Sequence, residues 1–293
     1  MEKDDGRSVI LYKPCGVIDS RFLLSKESDF ALGLMDERQE KSLLEAINSP
    51  TSIVCADATH GTTKYHIKLV TLMTVNSFGS GVPCGFLFSN KEDETVLGHF
   101  FEGVKSRVGA IESKIFMTDD TGAYWNSYRR VMECTKTQRL LCIWHVDKNW
   151  RKQLCAKVKD ETKRGKLYKQ LCLLRLEPDK KNFNQMLKNF ISRTNGLKKT
   201  KDFGKDFETE YSERTKCWAA CHRPQSYINT NMYLESMHKT LKYCVFEKKS
   251  IRRLDRAIYL VTVLFDQIYA KFERMFVKPT ATKDTSCIFK IHG

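Results

Sequence analysis

Between residues 51 and 89 three apolar, β-branched runs follow one another, TSIVCADA, HIKLVTLMTVN and VPCGFLFS, with Gly61 and the segment SFGSG marking the breaks between them. A parallel crossover needs a dozen or more residues, which these breaks do not supply, so the three strands are expected to run antiparallel. The next stretch, KEDETVLGHFFEGVKSRV, is amphipathic and opens on acidic residues, which suit a helix N-terminus. KIFMT then reads as a strand, DTGAYWNSYRRVM as a helix and QRLLCIW as a further strand.

The order β-β-β-α-β-α-β predicts an α/β fold with a mixed sheet of the RNase H-like kind, in which the first of these strands is central and parallel to the fourth. Ahead of it, SVILYKP and DFALGLMD are short extended pieces, and ERQEKSLLEAI is an amphipathic helix with Leu43, Leu44 and Ile47 in one stripe. Residues 1–50 are therefore read as a lead-in to a core at 51–145. Residues 146–230 are Lys-rich, with Leu and Phe at helical spacing in KLYKQLCLLRL and FNQMLKNFI, and predict a helical, basic insertion. NMYLESMHKTLKYCVF reads as a helix with Asn231 as its N-cap, and RAIYLVTVLFDQIYAKFERMF as a long helix ending before Pro279. These helices, within 231–278, are expected to complete the core, with 279–293 as a tail.

At 293 residues, 41% hydrophobic and 29% charged, the composition is that of a folded chain and not of a disordered one. No run approaches the roughly 18 to 20 apolar residues that cross a bilayer, so no membrane partner is expected. MEKDDGRSVILYK lacks the apolar stretch of a secretory leader. Eleven cysteines, an odd number scattered through apolar runs such as IVCADA and RLLCIWH, point to a reducing compartment. The net charge of +15 is unevenly spread: residues 1–50 carry −3, 51–145 carry +1, 146–216 carry +10 and 217–293 carry +7. A basic excess concentrated in one half attracts a polyanion, because each Lys or Arg that neutralises a phosphate releases a counterion. The competing explanation is a solubilising surface.

Asp57 ends an otherwise apolar strand, and Asp119 with Asp120 follows KIFMT in the same way. A carboxylate at such a place caps a turn or binds something. If the two strands are parallel neighbours, about 4.8 Å apart, their carboxylates meet at one sheet edge and repel unless a cation lies between them. Hard Mg²⁺ or Mn²⁺ prefers oxygen ligands, and Glu235 on NMYLESMHKTLK is placed by chain order to supply a third. Singly, each acid also reads as a cap or a surface charge; together, in this strand order, they favour a metal site.

Three blocks then carry a specific resemblance. DATHGTTKYHIKLVTLMTVNSFGSGVPCGFLF resembles the first-Asp block of Mutator-like element (MULE) transposases. MTDDTGAYWNSYRRVM with RLLCIWHVDKNWRK resembles their second-Asp block and the Cys-x-x-His after it, and NTNMYLESMHKTLK the block that bears the catalytic Glu. The resemblance runs from about residue 9 to 260 and implies a DDE-type transposase that cuts and joins DNA strands with two Mg²⁺ or Mn²⁺ ions. It implies a triad of Asp57, Asp119 and Glu235, with Asp57 bridging the ions and each of the others holding one. Asp119 is preferred over Asp120 because the family's Asp follows a Thr or Ser, and Asp120 is then expected to cap the DTGAYWNSY helix.

Cys142 and His145 form the Cys-x-x-His, for which a structural or positioning role is expected. A sharper alternative has Cys217 and Cys221, or His222, return to them and close a four-ligand zinc site. Trp144, Trp150 and Trp218 read as core or as base-stacking platforms. Lys148, Arg151 and Lys152 follow the Cys-x-x-His, and Lys239 and Lys242 share a helical face with Glu235 at spacings of four and seven; these five are the candidate phosphate contacts. The resemblance further implies DNA as the partner, self-association into a homo-oligomer and a nuclear location. Full-length members usually carry a zinc-finger module before the core and a Cys/His-rich motif after it. Neither is read here, so the expectation is a catalytic core without DNA-targeting parts. The alternative is a catalytically silent, transposon-derived DNA-binding or regulatory protein.

Overall fold

A computed structural model describes residues 7–20, 29–223 and 228–277. The expected end of the last helix at Pro279, and the tail at 279–293, lie outside the described residues. The chain forms two compact units of mixed α/β structure. Unit 1 is made of the described residues within Met1–Lys114, Asn126–Thr135 and Met232–Gly293, and unit 2 of those within Ile115–Trp125 and Lys136–Asn231.

In unit 1 the strands β1 (Val9–Lys13), β2 (Ala31–Leu34), β3 (Ile53–Thr59), β4 (Lys68–Val75) and β5 (Gly81–Ser89) lie in the order β1-β2-β5-β4-β3, each antiparallel to its neighbour. The three predicted strands are β3 to β5, and the short breaks force their antiparallel pairing as expected. The extended pieces of the lead-in, β1 and β2, widen the same sheet. The β4–β5 turn is held by Asn76, whose Oδ1 accepts from the amides of Phe78 (3.1 Å) and Ser80 (2.9 Å), with Gly79 at φ +70° in the left-handed region.

Helix α1 (Glu37–Ile47) opens on a capping box in which Asp36 and Gln39 exchange side-chain and backbone bonds of 2.9 Å. In α2 (Glu94–Val108) the carboxylate of Asp93 accepts from the Val96 amide at 3.0 Å, which is the role the acidic opening predicts. Buried Val96, Leu97, Phe100, Phe101 and Val104 form the apolar face of α2. The long helix α10 (Leu254–Val277) buries Ala257, Val261, Leu264 and Phe265 at helical spacing. It is tied to α1 by an Arg38–Asp266 ion pair of 2.8 Å and by the Tyr269 hydroxyl, which donates to the Arg38 carbonyl at 3.0 Å.

Unit 2 has the parallel pair β6 (Ile115–Thr118) and β7 (Gln138–Leu141), in register Ile115↔Gln138 to Thr118↔Leu141. The helix α3 (Gly122–Met132) contributes residues to both units. The basic segment folds into α4 (Ile143–Lys157), α5 (Glu161–Leu176), α6 (Lys180–Gly196), α7 (Lys201–Phe207) and the short α8 (Thr215–Trp218). These helices close around an aromatic core: Trp150, Phe183, Phe203, Phe207 and Trp218 are all at most 2% exposed.

One boundary differs from expectation. QRLLCIW was predicted as strand throughout, yet β7 ends at Leu141 and α4 begins at Ile143. A short apolar run has no periodicity that separates strand from helix; here Val146, Trp150 and Leu154, four apart and all buried, impose the helix. The last helical elements are α9 (Met232–Thr240), a π turn at Leu241–Val245, and α10, so the predicted single helix over NMYLESMHKTLKYCVF changes hydrogen-bond register partway.

Candidate functional site

In unit 1 the sequence of β3 alternates little, because the strand is covered on both faces; Ile53, Val54, Cys55 and Ala56 are buried. Asp57 continues this run at 8% exposure, with its Oδ1 accepting from the Ala58 amide at 2.9 Å. Its antiparallel partner on β4 is Thr71, and residues opposed in this way carry their side chains on one face of the sheet. On that face the Thr71 hydroxyl lies 3.2 Å from His238 Nε2.

His238 belongs to α9, which packs against β3. Leu234, Met237, His238 and, in the following π turn, Leu241 are buried and form the anchoring stripe. Glu235 lies three residues before His238 on the adjoining face and is half-buried. Unit 1 therefore docks α9, through the His238 face, on the strand pair bearing Asp57. Tyr233 fixes the other side of the helix, its hydroxyl donating to the Gly79 carbonyl at 2.5 Å.

Burial pushes the His238 imidazole well below its usual range, with the positive charges of Lys242 and His60 adding to the effect, down to about 3. The ring is therefore neutral at pH 7 and exchanges a hydrogen bond with Thr71 as a neutral group. Asn231, the expected N-cap of α9, does not act as one: its side-chain oxygen and nitrogen are buried and have no hydrogen-bond partner among the described residues.

In unit 2 the two adjacent aspartates are used differently. The carboxylate of Asp119 accepts from the Thr121 amide and from the Thr121 hydroxyl, both at 2.9 Å, an Asx-type turn at the end of β6. Asp120 pairs with Arg214 at 2.6 Å and accepts from the Tyr211 hydroxyl at 3.2 Å. The expectation that Asp120 caps α3 is corrected: a guanidinium and a phenol from the helical segment take its carboxylate, and the turn before α3 is made by Asp119. Burial, above all, raises the Tyr211 hydroxyl far above its usual range, so it remains a neutral donor.

Cys142 sits buried at the junction of β7 and α4. Its amide donates to Thr118 O at 2.8 Å and its thiol accepts from the Asn231 amide at 3.3 Å, while the Ile143 amide donates to Asn229 O at 2.9 Å. The thiol thus helps hold the chain just ahead of α9. His145, in the first turn of α4, packs edge-on against Trp144 with ring centres 4.7 Å apart.

Cys217 and Cys221 do not gather with Cys142 and His145 into a group of metal-ligand atoms among the described residues. Both lie against the aromatic core beside Trp218, and burial raises both thiols above their ordinary range. His222 is likewise turned to the core, edge-on to Phe183. Trp150 and Trp218 are core residues, 1% and 0% exposed, and their rings meet at 5.4 Å. Trp144, at 46% exposure, is the one of the three that faces solvent, with Lys148 Nζ 4.8 Å above its ring.

Arg151 is exposed but engaged, with Asp147 at 2.8 Å and the Tyr168 hydroxyl at 2.6 Å, and Lys152 is exposed. Lys239 is exposed on α9. Lys242 falls in the π turn, where the wider register carries it off the face predicted from a spacing of seven and into a cleft with His60. The sequence reading overlooked His238, Arg214, Tyr211, His60, Lys248 and Lys249. A His three residues after a candidate Glu was a usable signal for the first; the others announce themselves only in three dimensions.

Residues 53–149 match the family model of the MULE transposase domain. The matched stretch runs from β3 into α4 and includes Asp57, Asp119, Cys142 and His145, while Glu235 lies beyond it. No curated protein matches the chain.

Proposed function

Because residues 53–149 are a MULE transposase domain, we propose that this protein is a DDE-type enzyme of DNA recombination that cuts and joins DNA strands with Asp57, Asp119 and Glu235. The reading includes an RNase H-like arrangement in which the strands of Asp57 and Asp119 run parallel. The observation that supports it most is the docking of α9 on β3, with His238 bonded to Thr71, the cross-strand partner of Asp57. A buried aspartate in an apolar strand, with a helix that carries a half-buried glutamate packed on that strand, suits a site that gathers carboxylates around a divalent cation.

The donor set fits a hard divalent ion, since all three groups offer carboxylate oxygens. Bound Mg²⁺ or Mn²⁺ supplies the Lewis acidity that makes a water or a DNA 3′-hydroxyl nucleophilic and neutralises the leaving 3′-oxygen. The protein holds the three carboxylates: Asp57 by burial in β3, Glu235 through the anchoring stripe of α9, and Asp119 through its turn with Thr121. The engagement of Asp120 by Arg214 and Tyr211 supports Asp119 as the second aspartate. In this reading the protein acts in the nucleus, where its substrate is, and the excess basic charge of residues 146–293 lowers the energy of the approaching polyanion.

Nicking of supercoiled plasmid in Mg²⁺ and in Mn²⁺ tests it. Asp57→Ala, Asp119→Ala and Glu235→Gln are each expected to cut at least about a hundredfold more slowly, since loss of a metal ligand forfeits several kcal/mol of transition-state stabilisation. Asp120→Asn should retain cutting, and all four should still bind DNA. Metal-dependent cutting by Asp57→Ala at the unaltered rate would sink the assignment. DNA binding without any cutting by the unaltered protein would favour the silent, DNA-binding alternative, for which the basic excess alone suffices.

A further inference from the structure

Beyond Thr59, where β3 ends, a cleft of about 270 Å³ opens within unit 1. One wall is His60 and Gly61; the other is the turn after α9, which contributes Lys242, Lys248 and Lys249 around Tyr243. The walls are joined by backbone bonds: the Lys64 amide donates to Ile251 O at 3.1 Å and the Ile251 amide to Thr62 O at 3.0 Å. The lysine-bearing turn is itself closed by the Lys248 amide donating to Lys242 O and the Lys249 amide to Phe246 O, both at 2.8 Å. Glu247 and Lys248 are both left-handed, at φ +50° and +62°, a costly conformation for two successive non-glycine residues that recurs where chains clamp ligands.

Two carboxylates reach the rim, Glu247 at 2.9 Å from Lys249 and Glu92 at 3.7 Å from His60 Nε2 and 3.1 Å from Lys68. Against them stand three ammonium groups in the cleft itself, so positive charge remains in excess. Lys248 Nζ lies 5.5 Å over the ring of Tyr243, which is 54% exposed. An added Cβ at Gly61 would meet nothing within 4 Å, so the mouth beside the strand is open.

We propose that this cleft, whose His60 wall follows Asp57 by three residues, binds a backbone phosphodiester of the DNA strand. The assignment rests on the DNA reading above. Ammonium groups and backbone turns suit a phosphate, and at about 30 Å³ per water the space holds far more than a bare phosphate ion, leaving room for the attached deoxyribose against Tyr243. Only one of the lysines, Lys242, was visible as a candidate from helical spacing. The others are brought in by the turn.

The test is fluorescence anisotropy of labelled single-stranded and duplex DNA, titrated between about 50 and 200 mM salt. Removal of two phosphate contacts by Lys242→Ala/Lys248→Ala should lower the magnitude of the log–log salt slope by about 2 and weaken binding about tenfold or more at the low-salt end. Lys242→Arg/Lys248→Arg should restore both. The melting temperature, which exposed lysines do not set, should be unchanged. DNA binding with the same slope in the double alanine variant overturns the cleft and leaves the DNA reading standing; no DNA binding by the unaltered protein removes both. Inorganic phosphate that raises the melting temperature of the unaltered protein but not of the variant, with equal DNA slopes, would make the cleft a small-anion site and overturn the proposal.

Discussion

His238 is the residue on which the geometry of unit 1 turns, because it couples α9 to β4 through a single neutral contact with Thr71. Its folded pKa, near 3, lies below the ordinary value of 6.5, so the unfolded chain binds the extra proton first as pH falls. Stability should therefore be complete above about pH 6.5 and decline between there and 3. At about 1.4 kcal/mol per unit, the group should forfeit about 2 kcal/mol between pH 7 and 5. Urea denaturation of the native protein and of His238→Gln at both pH values isolates it from the carboxylates. The unaltered protein should lose about 2 kcal/mol more than the variant over that interval, and equal losses would show that the imidazole is not held neutral. Asp57 and Asp119 were readable from sequence as candidates because an acid at the end of an apolar strand contradicts its surroundings. The groups that hold Asp120 were not, because Arg214 reaches it across 94 residues and no local pattern records that.

At the scale of elements, most helices and strands were readable because hydrophobic period and turn residues agree. The failures fall where the period is ambiguous. CIW could serve strand or helix and was settled by Trp150 and Leu154 further along, and the π turn after Thr240 has no sequence mark that separates it from a continuing helix. The seating of α9 depends on an equally silent feature, the absence of a side chain at Gly81. A Cβ there would lie 2.4 Å from Tyr233 Cβ and 2.8 Å from Met73 Sδ. Gly81→Ala should accordingly cost about 1–3 kcal/mol by overpacking and speed hydrogen exchange in α9. Gly165→Ala is the contrasting case. It lies on the exposed side of α5 with nothing within 4 Å of an added Cβ, and should stabilise the protein by up to about 1 kcal/mol. Thermal melts of the two variants should move in opposite directions, and a neutral Gly81→Ala would mean that α9 does not rest on the β4–β5 turn.

Over the whole molecule, the basic segment does two jobs that composition alone confuses. Its lysines make the charge excess, yet its folding rests on an aromatic cluster, and that is why two tryptophans that sequence left open between base stacking and core are core. The cluster is not uniform. Trp218 Nε1 donates to the Tyr211 carbonyl at 3.0 Å, whereas the indole nitrogen of Trp150 is buried with no acceptor among the described residues. Replacing either by Phe removes apolar volume, but only Trp218→Phe strips a buried carbonyl of its donor, a loss of about 1–3 kcal/mol beyond the cavity. Because Tyr211 also donates to Asp120, loosening Trp218 should reach the aspartates as well. Trp218→Phe should therefore melt well below Trp150→Phe by circular dichroism. Equal melting of the two variants would show that packing volume alone, and not the indole hydrogen bond, holds this core in place.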